Sequence, residues 1–323
     1  MKAIVVVEKQ LVWQEVAEPD LSVGEVRIRV HATAVNRADL AQRQGGYPPP
    51  PGASTILGLE CAGEVLEVGE GVTRVATGDA VCALLAGGGY AEQVVVPAGQ
   101  VLHIPEGLTM LDAAAIPEVF ATAYLNLYME AGLKTGERVL LHAGASGVGT
   151  AAIQLCKTTN NPCFVTAGNS EKVARCQALG ADEGWDRHQG SFRESVMEWS
   201  GGTGVDVILD PVGAGYLADN LASLNTDGRL VVIGLMGGME TPLHLGLMMM
   251  KRLRIIGSTL RARPIAAKAA VMDALRERVW PYLATGEIKP IVEAVIPIEE
   301  AESAHALITG NTTVGKVLLQ IVR

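Results

Sequence analysis

The chain has 323 residues, 49% of them hydrophobic, and a formal net charge of −9. This length and apolar content are enough for one large domain or two ordinary ones. The acidic balance argues against nucleic acid as a partner, because phosphate binding requires a dominant basic surface. No apolar run is long enough to predict a membrane span or a signal peptide.

The cysteines indicate the cellular compartment. Five are present, at positions 61, 82, 156, 163 and 176, and no two of them form a CxxC pair. An odd number without paired spacing predicts neither a disulfide framework nor a zinc cluster. We therefore expect a reduced, cytoplasmic protein.

Short strands dominate the first third of the sequence. Runs rich in Val and Ile lie at residues 3–8, 25–34, 62–68 and 92–97, and Gly and Pro separate them. This pattern predicts a barrel-like, antiparallel domain. From residue 108 to 132 the composition is helix-forming, and Gly132 marks the stop.

Strands and helices then alternate. The predicted strands cover residues 138–142, 163–167, 205–210, 229–234 and 253–258, and the predicted helices cover 148–159, 170–179, 192–199, 216–224 and 243–250. Short apolar strands that alternate with helices predict a parallel sheet covered on both faces. Two more helices, 265–284 and 299–309, and a strand at 316–321 complete the chain, and we expect them to rejoin the first domain.

A glycine-rich turn follows the first of these parallel strands in HAGASGVG. A strand–turn–helix context of this kind binds dinucleotides: Gly144 permits the turn, Gly147 admits pyrophosphate oxygens, and Gly149 allows close packing. Ser146 either donates to a phosphate or caps the helix. The spacing is GxxGxG rather than GxGxxG, so an ordinary strand–turn–helix stays open as the alternative.

The end of the next strand bears on the choice of cofactor. An NAD site usually has an acid there for the ribose 2′-hydroxyl, but this chain has Gly168 and Asn169, followed by Lys172. A cation in place of an acid favours the 2′-phosphate of NADPH, and Arg187 is a second candidate cation. The alternative for Lys172 is a solvated helix lysine.

The chain resembles a known family over nearly its whole length. The matching motifs are VNRADLAQRQGGYPPPPG, LGLECAGEV, GDAVCALL, GGGYAEQVVVP, AAAIPEVFATAY, HAGASGVGTAAIQL, TAGNSEK, GVDVILDPVG, GRLVVIGLMGG and VGKVLL. They are similar to the medium-chain dehydrogenase/reductase superfamily, in its zinc-independent, zeta-crystallin-like quinone oxidoreductase branch. The resemblance implies an α/β fold in which a Rossmann domain (119–259) is inserted in a GroES-like, mostly-β catalytic domain (1–118 and 260–323), with the cofactor in the cleft.

The zinc ligands of related alcohol dehydrogenases are missing from the corresponding motifs. Those enzymes have a Cys in the region of Asn36–Asp39 and a His where this chain has Leu59. Leu59 cannot bind a metal, and no four cysteines cluster for a structural zinc. We therefore expect no metal and no alkoxide chemistry, which favours hydride transfer to an electron-poor quinone or an activated double bond.

The resemblance also implies the site residues. Asn36, Tyr47 and Thr122 would lie at the nicotinamide end as catalytic residues, although each also has a structural interpretation as a turn, packing or helix residue. The complete set implied for cofactor binding is Gly144, Ser146, Gly147, Val148, Gly149, Gly168, Asn169, Lys172, Arg187, Gly213, Gly234, Leu235, Met236, Ser258, Thr259, Leu260 and Lys316. For Lys316, a surface lysine is the alternative.

The predicted function is an NADPH-dependent quinone oxidoreductase. Two alternatives are an NADPH-dependent reductase of α,β-unsaturated aldehydes or ketones, and an NADPH-binding structural or regulatory protein with little turnover. The family forms homodimers, and the apolar, Met-rich stretch at 241–260 is the candidate interface, with a buried helix and strand as its alternative interpretation.

Overall fold

The chain forms two compact units in a computed structural model, which describes residues 1–322. The first unit comprises Met1–Ala121 and the segment from Leu260 onward, and the second comprises Thr122–Thr259. None of the helices in the described residues has both the length and the apolar character needed to cross a membrane.

Strands and helices are numbered separately along the chain. The strands are β1 (Lys2–Val7), β2 (Gln10–Glu15), β3 (Glu25–Ala34), β4 (Glu60–Val68), β5 (Ala80–Leu84), β6 (Gln93–Pro97), β7 (Val101–His103), β8 (Val139–Leu141), β9 (Cys163–Ala167), β10 (Glu183–Asp186), β11 (Val205–Asp210), β12 (Leu224–Val232), β13 (Arg254–Gly257), β14 (Val292–Pro297) and β15 (Lys316–Gln320). The α-helices are α1 (Arg37–Arg43), α2 (Met110–Ala114), α3 (Pro117–Tyr124), α4 (Gly147–Thr158), α5 (Ser170–Leu179), α6 (Arg193–Trp199), α7 (Leu217–Ser223), α8 (Leu245–Met250), α9 (Ile265–Arg278), α10 (Trp280–Ala284) and α11 (Ala301–Thr309).

The first unit is built around a largely antiparallel sheet. Its strand order is β14-β15-β3-β4-β5-β7, with β6 paired to β3, and β1 and β2 form a separate two-stranded sheet. The buried side chains of β3, among them Val26, Ile28 and Val30, pack in one apolar core. Strands β2, β5, β7 and β14 were not predicted, and β5 shows why: four of its five residues are buried, so it lacks the alternation that marks a half-buried strand.

The segment 108–132 is helical, as its composition predicted, but it is not continuous. The structure has α2, a break at Ala115 and Ile116, α3, and then a π-helical turn at Leu125–Glu130. Pro117 explains the break, because proline has no N–H to donate and restricts the residue before it. The helix predicted at 265–284 is likewise divided into α9 and α10 around Val279, ahead of Pro281.

The second unit is a parallel sheet with strand order β10-β9-β8-β11-β12-β13. Every neighbouring pair in it is parallel. All five residues of β9 are buried, as expected for a strand covered on both faces. The carboxyl ends of these strands therefore meet at one edge, and this is the Rossmann arrangement that the sequence predicted.

Candidate functional site

The glycine turn lies at this carboxyl edge, between β8 and α4. A Cβ on Gly149 would lie 2.4 Å from the carbonyl oxygen of Gly144, and a Cβ on Gly144 would lie 2.8 Å from Cβ of Val165. Both contacts are shorter than packed atoms tolerate. The two glycines are therefore required for α4 to start close to the sheet.

The start of α4 presents free donors. The Ser146 hydroxyl accepts the N–H of Gly149 at 3.1 Å, so Ser146 caps the helix in this structure. In the described chain, no hydrogen-bond acceptor meets the N–H groups of Gly147 and Val148. Unpaired N–H groups at the positive end of a helix dipole favour a phosphate. This geometry fits the pyrophosphate of a dinucleotide.

The residues predicted to contact the 2′-phosphate lie at the ends of β9 and β10. The Asn169 side chain accepts the N–H of Lys172 at 2.8 Å and thereby caps α5. Arg187 is exposed and follows Asp186, which is paired with Ala167 in neighbouring strands. The two candidate cations thus follow adjacent strand ends. Asp186 was not predicted as a site residue; it accepts the hydroxyl of Ser170 at 3.3 Å.

Two further loops at this edge are bonded to each other. Gly237 donates its N–H to the carbonyl of Val212 at 2.7 Å, and Ala214 donates to Gly238 at 3.1 Å. Gly213 has a φ of 81°, and a Cβ on Gly234 would lie 2.8 Å from the Pro211 carbonyl oxygen. The predicted residues Gly213, Gly234, Leu235 and Met236 are thus brought together, and half of each of the Leu235 and Met236 side chains is exposed.

A series of buried side-chain hydrogen bonds connects three strands near the same edge of the sheet. Nδ1 of His142 contacts the Thr166 hydroxyl at 2.9 Å, and Nε2 contacts Oδ1 of Asn220 at 2.7 Å. Asn220 then donates to Asp210, whose carboxylate accepts the N–H of Gly213. Burial lowers the pKa of His142 to about 4, so the ring is neutral. His142 was not predicted as a site residue, and no sequence motif indicated these hydrogen bonds.

In the first unit, the predicted residues Asn36 and Lys316 meet Glu60, which was not predicted. Nζ of Lys316 lies 2.7 Å from Oδ1 of Asn36, 3.1 Å from the carbonyl of Val35 and 2.8 Å from Oε1 of Glu60. The amide of Asn36 donates to the same Glu60 oxygen at 3.0 Å. These contacts engage all three protons of Lys316, and Oδ1 of Asn36 accepts one of them.

Asp39 joins this cluster from the first turn of α1. Its carboxylate accepts the N–H of Asn36 at 2.8 Å and the N–H of Gly58 at 2.9 Å. The Tyr90 hydroxyl lies 3.4 Å from Asp39 and 3.1 Å from Nε2 of His305. Burial raises the pKa of Asp39 to about 6. Asp39, Glu60, Tyr90 and His305 were not predicted as site residues, although the Asn-x-x-Asp spacing at a helix start is a capping signal.

Tyr47 lies against a buried arginine. The guanidinium carbon of Arg261 is 5.3 Å from the centre of the Tyr47 ring. Arg261 also donates to the carbonyl of Tyr47, the carbonyl of Ala86 and the side chain of Gln42. Burial raises the pKa of Tyr47, and the charge of Glu118 adds to the rise, while Arg261 opposes it. Arg261 fixes this ring, and no sequence signal distinguished it from a surface arginine.

The other predicted residues are placed as follows. The carbonyl of Thr122 in α3 accepts the side-chain amide of Asn126 at 2.7 Å. Ser258 follows β13, is buried, and donates its N–H to Val232 at 3.0 Å. Thr259 is exposed and Leu260 is buried. Among residues 1–322, no group of three or more His, Cys, Asp or Glu side chains is arranged to hold a metal ion.

Two family models match the chain. The alcohol dehydrogenase GroES-like domain matches residues 22–106, and the zinc-binding dehydrogenase model matches residues 147–277. Quinone oxidoreductase-like protein 2 of Rattus norvegicus is 32% identical over 317 residues, covering 97% of this chain and 90% of that protein.

Solved structures show the same likeness. The crystal structure of Escherichia coli quinone oxidoreductase complexed with NADPH is 27% identical, covers 99% of both chains and has a TM-score of 0.87. An NAD-dependent alcohol dehydrogenase is 31% identical, with coverage of 99% of this chain and 100% of that one and a TM-score of 0.87. The chain therefore belongs to the medium-chain dehydrogenase/reductase superfamily of oxidoreductases, in its quinone oxidoreductase, zeta-crystallin-like branch, with a GroES-like domain and a Rossmann domain.

Proposed function

We propose that this protein is an NADPH-dependent quinone oxidoreductase that transfers hydride without a metal. The observation that carries the proposal lies at the positions where zinc enzymes of the superfamily have ligands. Leu59 is 2% exposed and apolar, and Asn36 is hydrogen-bonded to Lys316 and Glu60. Side chains of these types do not bind the zinc ion that acts as the Lewis acid in alcohol oxidation. A substrate whose reduction needs no alkoxide is therefore favoured.

The cofactor is NADPH, and the second unit holds it. The N–H groups of Gly147 and Val148 bind the pyrophosphate, and Lys172 and Arg187 bind the 2′-phosphate. The loops that contain Gly213, Gly234, Leu235 and Met236, together with Ser258 and Thr259, hold the nicotinamide end. Bound NADPH supplies a hydride, and the protein contributes orientation and exclusion of water.

The first unit acts on the substrate. Asn36 provides the side-chain amide that contacts the substrate, and Lys316 and Glu60 hold this amide in one orientation. Tyr47, fixed by Arg261, donates a hydrogen bond from its hydroxyl to a substrate oxygen, and burial keeps the phenol protonated. Thr122 completes the predicted catalytic set, and Leu260 contributes apolar surface.

The cysteines and the exposed apolar side chains bear on cellular location and assembly. All five cysteines are buried thiols, which suits a reducing cytoplasm. Exposed apolar side chains concentrate around the outermost strand β13 of the second unit, including Leu245, Met249 and Met250. A patch of this kind marks an interface, and we propose a homodimer through it.

The decisive experiment compares NADPH with NADH across a panel of quinones and enones, with cofactor binding measured separately by fluorescence. We expect consumption of NADPH with quinones, little change after extensive chelation, and weaker binding of NADH. Preference for enones would replace the substrate assignment. Tight binding without consumption would favour a structural or regulatory role, and absence of affinity for either reduced dinucleotide would refute the proposal.

A further inference from the structure

One carboxylate connects the two chain segments that carry Asn36 and Glu60. Asp39 accepts the N–H of Asn36 through Oδ2 and the N–H of Gly58 through Oδ1. Asn36 immediately precedes α1, and Gly58 lies two residues before Glu60 at the start of β4. The side chains of Asn36 and Glu60 then meet at 3.0 Å. The distance between the two backbones is therefore set by Asp39.

The turn at Gly58 has little freedom of its own. Its φ is +101°, and a Cβ there would lie 2.6 Å from Cα of Gly89. Its N–H is buried with Asp39 as the acceptor. A buried N–H that loses its acceptor is destabilising, so a change at Asp39 acts on this turn directly.

Asp39 is fully buried, and several charged or titratable groups face it. Burial is the largest influence on its pKa and raises it, whereas the Asn36 and Gly58 N–H groups and the charge of Lys316 lower it. The groups that face it from other elements are Glu60 of β4, Lys316 of β15, Arg261 and Tyr90, with His305 of α11 behind Tyr90; Arg43 of its own helix and Glu302 act on His305. With its pKa raised to about 6, Asp39 changes charge close to physiological pH.

The Tyr90 hydroxyl can hydrogen-bond to Asp39 in both of its protonation states. A hydroxyl has one proton and two lone pairs, so Tyr90 donates to an ionised Asp39 and accepts from a protonated one. Nε2 of His305 lies 3.1 Å from the same hydroxyl, and Nδ1 of His305 has no partner in the described chain. Burial lowers the pKa of His305 to about 4, so the ring stays neutral while Asp39 titrates.

We propose that Asp39 is a positioning residue, which as an anion holds Asn36 in the orientation that the reaction requires and loosens it on taking up a proton. A protonated carboxyl has one strong acceptor oxygen in place of two, so it cannot hold both N–H groups equally well. The segment of Gly58 and Glu60 then shifts relative to Asn36. This inference rests on the proposed role of Asn36 and extends it to regulation by pH.

The first test needs no turnover. The side-chain amide signals of Asn36 are followed by NMR in the intact protein from about pH 5 to pH 8, with assignment by their loss in Asn36→Ala. We expect them to shift with a midpoint near the raised pKa of Asp39, about 6. Signals that stay constant over this range would overturn the proposal, whatever the substrate is found to be.

The second test uses the variant Asp39→Asn, which mimics the protonated acid. We expect kcat/KM at neutral pH to fall about tenfold and the acidic limb of the pH profile to disappear, because hydrogen bonds to an ionised carboxylate are stronger than those to a neutral amide. Asp112→Asn is the matched control, since Asp112 is also an N3 carboxylate that accepts the N–H of its N-cap residue, at 3.1 Å, but is only partly buried.

The positioning role of Asp39 and the proposed function can be refuted independently. If Asp39→Asn does not fold, Asp39→Glu keeps the charge and should retain an acidic limb. An unchanged profile in Asp39→Asn beside normal turnover would contradict the positioning role alone. No turnover in the wild-type protein, with Asn36 signals that still titrate, would contradict the proposed function and leave the coupling of Asp39 to Asn36 supported.

Discussion

Nζ of Lys316 lies 2.8 Å from Oε1 of Glu60, and the side chains are only 4% and 0% exposed. Both also bond Asn36, so the ion pair and the candidate catalytic amide form one cluster. Taking two charges out of water is expensive, and the pair is tolerated because each remaining polar atom finds a partner. The N–H of Glu118, for example, bonds the second oxygen of Glu60 at 2.9 Å.

Removal of one partner of the Lys316–Glu60 ion pair should lower the free energy of unfolding more than removal of both charges. Lys316→Met leaves a buried carboxylate unpaired, and we expect a loss of about 3–5 kcal/mol in the free energy of unfolding. Lys316→Met combined with Glu60→Gln should lose less than the sum of the two single variants. Chemical denaturation of the four proteins measures this, and strictly additive losses would show that the pair is not coupled.

The choice of cofactor can be tested at the ends of β9 and β10. Lys172→Ala with Arg187→Ala should raise the Kd for NADPH by roughly tenfold or more and leave that for NADH nearly unchanged, because only NADPH carries the 2′-phosphate. Arg175→Ala, an exposed arginine on the same helix as Lys172, controls for general charge effects. Equal losses for both cofactors, measured by fluorescence titration, would refute the assignment.

The glycine turn should not tolerate a side chain at its packed positions. Gly149→Ala places a Cβ 2.4 Å from a backbone oxygen, and we expect a loss of about 1–3 kcal/mol in stability together with weaker NADPH binding. Gly257→Ala is the control, since a Cβ there would have no atom within 4 Å. Similar thermal denaturation of the two variants would show that the turn relaxes.

His142 should make stability depend on pH. The folded protein holds the ring neutral with a pKa of about 4, whereas the unfolded chain takes up a proton near 6.5. The unfolded state therefore binds more protons between these values, and stability falls as pH decreases through them, by on the order of 3 kcal/mol.

His305 and Asp39 also change their protonation in this pH range, and both affect the pH dependence of stability. His305 acts in the same direction as His142, whereas Asp39, with its raised pKa, stabilises the folded state as pH falls below about 6. His142→Gln should therefore flatten the fall in stability without abolishing it. The measurement is denaturation at a series of pH values, and parallel curves for the variant and the wild type would contradict the burial of a neutral ring.

The apolar patch near β13 should control assembly. Met249 and Met250 are 74% and 77% exposed, and Met249→Lys with Met250→Lys should yield a monomer in analytical ultracentrifugation. Val23→Lys is the control, because Val23 is 73% exposed but belongs to the first unit. A variant that sediments like the wild type would remove this surface as the interface.

The parallel strands show what local pattern can establish. Residues 163–167 and 205–210 were predicted with the bounds that the structure has, because short apolar runs between turns leave few alternatives. The helix 170–179 was equally clear, since Asn169 caps it and Gly180 ends it. The family resemblance rests on motifs in a fixed order, and a single sequence carries that order in full.

What the sequence determined by itself is therefore the class of fold, the glycine turn and the missing ligands at Leu59. What only the tertiary structure decided is which polar side chains share one interior. Lys316 is separated from Asn36 by 280 positions, yet it meets Asn36 and Glu60 because β15 pairs with β3, which pairs with β4. Strand pairing over such separations depends on the whole sheet, and no local period encodes it.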